Sequence, residues 1–371
     1  MNPTAAPLEH QSIAIAEGRI LAIAPRAELL ERYAVDEIQS RPTHALMPGF
    51  VDAWTCVQTR TSPALAAAEA LRAGITSFAA FGTRAHELAG TASALHLHAV
   101  IGLAFNAEAS SWAASELLWD EYAADPYVTF CFSPGDLRTL DDAALLRLRR
   151  VADELDAPLS LALHADEAGI HESLEKFGMR PLERLDALGL LRPGVALREM
   201  TLLEDAEIDR LACRGVSVIA CPQADLRRRK ATIPFDLLLR RGMLCAVGSG
   251  DAHGKQTFDV LAEARLAGLL HGLDAGQILK LATVSGARTL GLAAQVGTLE
   301  PGRFADLIAL DLATLATPYD TAEDALAAIA YAATRHQVSD VWVGGRAMIH
   351  QGRLLAFDEE ALLRQLQEPK S

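Results

Sequence analysis

Short apolar runs and helix-patterned segments alternate through the middle of this chain, and few folds accept that order. Gly74-Ile75-Thr76-Ser77-Phe78, His98-Ala99-Val100-Ile101-Gly102 and residues 128–132, 159–164, 195–199, 216–222 and 243–248 read as strands. Residues 64–73, 141–155, 204–214 and 277–290 carry the spacing of helices between or beyond them. Buried strands separated by helices long enough to cross back over a sheet make a parallel α/β architecture. A (β/α)8 TIM barrel, whose chemistry sits at the C-terminal ends of its strands, requires this alternation.

The two ends of the chain have a different texture. Ser12-Ile13-Ala14-Ile15-Ala16 and Ile20-Leu21-Ala22-Ile23 flank Glu17-Gly18-Arg19, which reads as a hairpin. Residues 27–33 have a helical pattern, and Val341-Trp342-Val343-Gly344-Gly345-Arg346 with Gly352-Arg353-Leu354-Leu355 gives strand, turn and strand again. A length of 371 residues accommodates a barrel and a small attached domain. The net charge of −14 argues against nucleic acid as a partner, since phosphate backbones need clustered Lys and Arg. The one basic run, Arg227-Arg228-Arg229-Lys230, reads as a solvated loop. The N-terminal residues lack a basic segment followed by an apolar run, and no stretch approaches the roughly 20 apolar residues that cross a bilayer. A cytoplasmic protein without a membrane partner is expected. The five cysteines are then free thiols, with Cys131, Cys213, Cys221 and Cys245 in or near the core.

One stretch carries more than pattern. Met47-Pro48-Gly49-Phe50-Val51-Asp52-Ala53-Trp54-Thr55-Cys56 resembles the first-strand signature of the amidohydrolase superfamily, Pro-Gly-Phe-Val-(Asn/Asp)-Ala-His-x-His. Gly297-Thr298-Leu299-Glu300-Pro301-Gly302-Arg303-Phe304-Ala305-Asp306-Leu307 resembles the family's Gly-Ser-Leu-x-x-Gly-Lys-x-Ala-Asp-Leu segment. The resemblance covers nearly the whole chain and points to the branch of triazine hydrolases, S-adenosylhomocysteine-type deaminases and guanine-type deaminases. It implies a barrel over residues 47–295 and a small β-sandwich-like domain built from residues 1–46 and 296–371. It implies a homodimer at the level of the family. Relatives carry a long insertion before the helix at 64–73, whereas only residues 57–63 precede it here, so a more open or differently covered pocket is expected.

In that branch two histidines of strand one, a histidine of strand five and an aspartate of strand eight hold one divalent metal. Such a metal lowers the pKa of bound water. Here Trp54 and Cys56 stand at the two strand-one positions. His164 and Glu167 match the strand-five His-x-x-Glu motif, which makes His164 a metal ligand and Glu167 the general acid/base. Asp251 fits the strand-eight aspartate, Glu199 stands where the strand-six histidine belongs, and His253 lies two residues past Asp251. Gly135 replaces a histidine that contacts substrate in relatives. Indole offers one N–H donor and cannot coordinate a metal. Cys56, His164 and Asp251 together form a chemically acceptable zinc set. Against that stand the ordinary roles: Cys56 as a small buried apolar side chain, and His164, Glu167, Glu199 and His253 as barrel-rim residues. Trp54, Glu199 and His253 are the expected ligand contacts. His96-Leu97-His98 starts a middle strand, at the wrong end of a barrel for a site.

The inherited reaction is hydrolytic C–N cleavage of a small N-heterocycle, with Glu167 and Asp251 moving protons. Three readings stay open. The chain is a hydrolase with a zinc site rebuilt on Cys56, His164 and Asp251. Or it is a barrel with no metal cofactor that binds a small molecule. Or it is an inactive paralogue serving as a structural or regulatory subunit.

Overall fold

A computed structural model of the chain describes residues 2, 6–57, 62–105, 109–164, 166–251, 258–314, 321–358 and 364. His253 and residues 58–61 lie outside them, as does the side chain of Asp251.

The chain opens with the expected hairpin, β1 (Gln11–Ala16) against β2 (Arg19–Pro25), and the helix Arg26–Arg32 follows. Strand β3 (His44–Pro48) leads to β4 (Phe50–Cys56), where the barrel begins. Strands β5 (Ile75–Phe81), β6 (His98–Phe105), β7 (Val128–Pro134), β8 (Leu159–Ala162), β9 (Val195–Arg198), β10 (Ser217–Ala220) and β11 (Leu244–Val247) pair in sequence order, all parallel. A short β12 (Gly250–Asp251) returns to β4 and closes the ring, with Gly250 opposite Thr55 and Asp251 opposite Cys56.

Closure depends on a glycine. The Gly248 N–H bonds Ala220 O at 2.9 Å, and a Cβ at Gly248 would lie 2.3 Å from the Trp54 carbonyl oxygen. No side chain fits between these backbones.

Period-two alternation sorts the strand residues into two layers. Val51, Ala79, Val100, Cys131, Ala196, Ile219 and Ala246 fill the interior, while Phe50, Ile101, Phe132, Leu161, Leu197 and Val247 meet the helices outside. Each large buried side chain contributes roughly 1.5–3 kcal/mol against exposure. Small residues dominate the inner layer, with Trp54 and Phe81 the large exceptions.

One helix expectation is corrected. Residues 277–290 do not form one helix but two, Ala275–Leu281 and Val284–Thr289, broken at Thr283 with φ −135° and ψ −100°. The break has a tertiary cause: the Ala282 carbonyl accepts the Val51 N–H of the first barrel strand at 2.9 Å. A second correction concerns Cys213, which is exposed rather than near the core.

Both chain ends build the second unit. β3, β13 (Leu307–Asp311), β14 (Val338–Val343), β15 (Arg346–His350) and β16 (Arg353–Leu354) form one antiparallel sheet. The hairpin of β1 and β2 packs Ile20 against Leu299, Leu307 and Trp342. The Gly49 N–H bonds Asp306 O at 3.0 Å as the chain passes from sheet to barrel. Arg41 reaches across 299 residues to grip Asp340, with Nε 2.9 Å and Nη2 2.6 Å from its two oxygens. His98 heads β6 at the end away from the mouth, where its Nδ1 lies 2.9 Å from Asp306 Oδ2 and its ring packs on Phe304 and Tyr127. Its role is structural, as its place in the strand suggests. Among the described residues no helix is long and apolar enough to cross a membrane.

Candidate functional site

The first strand shapes the mouth. Its register slips between Asp52 and Thr55, and such an irregularity re-aims the side chains that follow. Trp54 thereby joins the interior layer, 9% exposed, and stacks on Phe81 with ring centroids 5.6 Å apart. Its Nε1 is buried without a hydrogen-bond partner. Cys56 is half-buried against the same inner layer.

Beneath Trp54 lies Asp52, fully buried. Its carboxyl accepts the Ser249 N–H at 2.9 Å, the Ser249 hydroxyl at 2.5 Å and the Trp54 N–H at 3.2 Å. Burial pushes its pKa up to about 7, with those three hydrogen bonds pulling the other way. Among the described residues no cation is its partner, so desolvation wins.

The decisive residue was not singled out from the sequence. Arg198 ends β9 and shares the inner face with Ala196, two positions earlier. Its guanidinium lies over the Trp54 ring, 4.6 Å from the centroid, and its side chain is 15% exposed. Nη1 donates to Glu199 Oε1 at 3.0 Å, while Nε is buried with no acceptor. Burial lowers its pKa, and the fields of Glu199, Cys221 and Cys56 oppose that shift. Cys131 and Cys221 are both raised by burial, Cys131 to about 12, so both remain neutral thiols. An unmet buried donor costs about 1–3 kcal/mol. The alternation Val195-Ala196-Leu197-Arg198 was the available signal, because it puts a charge on the inner face of a barrel strand.

Glu199 follows with φ +62°, turned over the rim. Besides Arg198 it meets Lys230 Nζ at 3.5 Å and Arg228 Nη1 at 4.0 Å. Arg227, Arg228 and Arg229 are exposed, as a solvated run would be, while Lys230 is half-buried where the chain leaves the helix Pro222–Arg227. Asp225 on that helix is buried, which raises its pKa to about 6, with Glu199 adding to the shift and Lys230 and Arg228 opposing it.

His164 takes a different direction. It sits two residues beyond β8 with φ +53°, its Nδ1 3.3 Å from Leu202 O and its Nε2 3.5 Å from Glu207 Oε1. Glu207 is already engaged: it accepts Arg180 Nε at 2.9 Å, Arg180 Nη2 at 3.0 Å and the Glu204 N–H at 3.0 Å. Burial lowers the His164 pKa, Glu207 opposes and Arg180 reinforces the shift, which leaves a neutral imidazole. Glu167 is exposed as the first residue of the helix Glu167–Phe177. A Cβ at Gly135 would meet open space, so the position where relatives place a histidine is empty of side chain.

The proposed donor set cannot be completed from the described residues, because the Asp251 side chain lies outside them. Trp54 has no ligand atom, His164 faces Glu207, and Arg198 places a cation in the field of Cys56. Among the described residues no three His, Cys, Asp or Glu side chains converge. The barrel, the terminal sheet and the altered first strand now stand beside known proteins. A model of the amidohydrolase family matches residues 58–348. This chain belongs to the amidohydrolase family.

Individual relatives span the whole architecture. A 5-methylthioadenosine/S-adenosylhomocysteine deaminase of Teredinibacter turnerae is 30% identical over 400 residues, covering 95% of this chain and 90% of its own length. The crystal structure of an adenosine deaminase from Xanthomonas campestris, with bound zinc, superposes with a TM-score of 0.92 at 29% identity over 99% of this chain and 95% of its own. Guanine deaminase of E. coli shares the fold with a TM-score of 0.79 at 20% identity, each chain 91% covered.

Proposed function

We propose that this amidohydrolase-family barrel binds a small N-heterocycle of the adenosine type in its mouth, and does so without a catalytic metal. The relatives' names support hydrolytic deamination of N-heterocycles as the ancestral reaction. The observation that carries the metal-free reading is the Arg198 guanidinium held over Trp54 at 4.6 Å. A cation on an indole face is stabilised by the ring quadrupole, and a divalent ion beside it would be repelled. The chain's own residues supply a binding site instead. Glu199 can accept from an exocyclic amine, and Gly135 leaves room beside the mouth.

A second reading rests on one observation, the pairing of Cys56 with Asp251 across β4 and β12. It retains hydrolysis, with zinc held by Cys56, His164 and Asp251, Glu167 as proton carrier and His253 on the ligand. Such a site requires His164 to leave Glu207. Elemental analysis of protein purified without chelator separates the two. The metal-free reading expects no zinc above background, even after soaking at neutral pH. Near-stoichiometric zinc that disappears in Cys56→Ala would sink it and restore the hydrolase.

A further inference from the structure

The floor of the barrel, at the end away from the mouth, carries polar atoms that the surrounding protein does not satisfy. Ser77 and His98 face each other as partners in the parallel ladder of β5 and β6. Ser77 lies two positions before Ala79 and His98 two before Val100, so both share the inner face. Both are sealed from solvent. Three sides of the imidazole are taken. Nδ1 lies 2.9 Å from Asp306 Oδ2, and the ring packs on Phe304 and Tyr127 with centroids 4.7 and 5.2 Å away. Asp306 Oδ1 accepts the Gly344 N–H at 2.8 Å, so this carboxylate acts as an acceptor on both oxygens. Nδ1 is then the donor, which in the uncharged ring leaves Nε2 as a bare acceptor. His98 Nε2 and Ser77 Oγ are both buried with no hydrogen-bond partner among the described residues. Buried polar atoms in that condition call for a bound molecule. Ser77, His98 and Asp306 have the order of a hydrolytic triad, but no substrate reaches a sealed serine. Water does. Thr129 shares the inner face of the next strand with Cys131 and is exposed, so solvent arrives one strand away.

We propose that a single water molecule is bound between Ser77 and His98 as a fixed part of the barrel floor. It donates to His98 Nε2 and accepts from the Ser77 hydroxyl. A buried water of this kind makes about three hydrogen bonds and is costly to remove. It completes a line from Ser77 through His98 to Asp306, whose carbonyl also accepts the Gly49 N–H at 3.0 Å where the chain passes from sheet to barrel. The water fixes His98 in the tautomer that donates to Asp306, and so it belongs to the joint between the barrel and the terminal unit.

A crystal structure of the full chain that shows ordered water, together with nitrogen-resolved NMR of its histidines, tests this. The His98 signals are those lost in His98→Gln. One density peak within hydrogen-bond distance of both Ser77 Oγ and His98 Nε2 is expected, with the ring protonated at Nδ1 alone. Ser77→Ala leaves room and should keep the peak on Nε2. Ser77→Val puts a methyl where the water sits, so the peak should vanish and the thermal midpoint should fall below that of Ser77→Ala. If Ser77→Val does not fold, the wild-type density and tautomer decide. A Ser77 hydroxyl turned directly onto Nε2, with no peak between them, overturns the proposal. So does a ring protonated at Nε2, and so does a Ser77→Val variant as stable as Ser77→Ala.

Discussion

Two buried aspartates, one in the terminal sheet and one in the barrel, meet opposite fates. Asp340 in β14 is sealed from solvent, yet Arg41 grips both of its oxygens, and the Ser339 hydroxyl and Gln351 N–H add to the set. Burial would raise its pKa, but those bonds and the Arg41 charge hold it down at about 2. Asp52 in β4 has comparable hydrogen bonds and, among the described residues, no cation, and burial carries it up to about 7. Over Trp54, Arg198 is a buried cation whose Nε has no acceptor among the described residues. The sheet pairs its buried acid with a cation, whereas the acid beneath the barrel mouth has none among the described residues. Unresolved charge in a concave site marks function more often than scaffold.

The comparison breaks first at Arg41. Arg41→Ala strands a buried carboxylate and should cost about 3–5 kcal/mol, read as a lowered urea midpoint. A loss within experimental scatter would mean that Asp340 is reached by water and that the sheet is no model of satisfied burial.

The next effect is set by pH. Asp52 has a folded pKa near 7 against an ordinary value near 3.9, so the unfolded state releases its proton first. Its contribution is complete below about pH 4 and drains away as pH rises toward 7, by up to about 4 kcal/mol. Asp340 has the opposite sign: its contribution is present above about pH 4 and is lost as pH falls toward 2. Asp52→Asn keeps one oxygen for the Ser249 and Trp54 N–H groups, turns the Ser249 hydroxyl bond round so that the amide donates, and should flatten the stability curve between pH 4 and 7. An unchanged slope in that variant would assign the titration elsewhere.

The smallest change in stability is expected at the mouth. Arg198→Met preserves the stem against Trp54 and removes an unmet donor, so thermal unfolding should shift by no more than about 1 kcal/mol. A loss as large as that of Arg41→Ala would make Arg198 part of the scaffold.

Much of this was legible in the sequence. The strand runs and the framing residues Pro48, Gly49, Phe50 and Val51 announced the barrel, while only the family resemblance implied that the two β-rich ends build one second unit. The helix break at Thr283 was not legible, because it answers a hydrogen bond from Val51 more than two hundred residues away. Trp54 and Glu199 were legible as altered positions. Arg198 was visible only as the last residue of an apolar strand, and the chemistry it brings depends on Trp54 and residues 228–230 arriving from elsewhere. His164 matched a motif by spacing, but its positive φ and the Arg180–Glu207 pair turn it aside, and neither can be read locally.

Titration of adenosine into chelator-treated wild type and Arg198→Met asks directly whether the mouth recognises its ligand through Trp54 and Arg198 with no metal. Binding that survives the chelator and disappears in Arg198→Met is the predicted result. Binding that vanishes on chelation, returns with zinc and ignores Arg198→Met would contradict it.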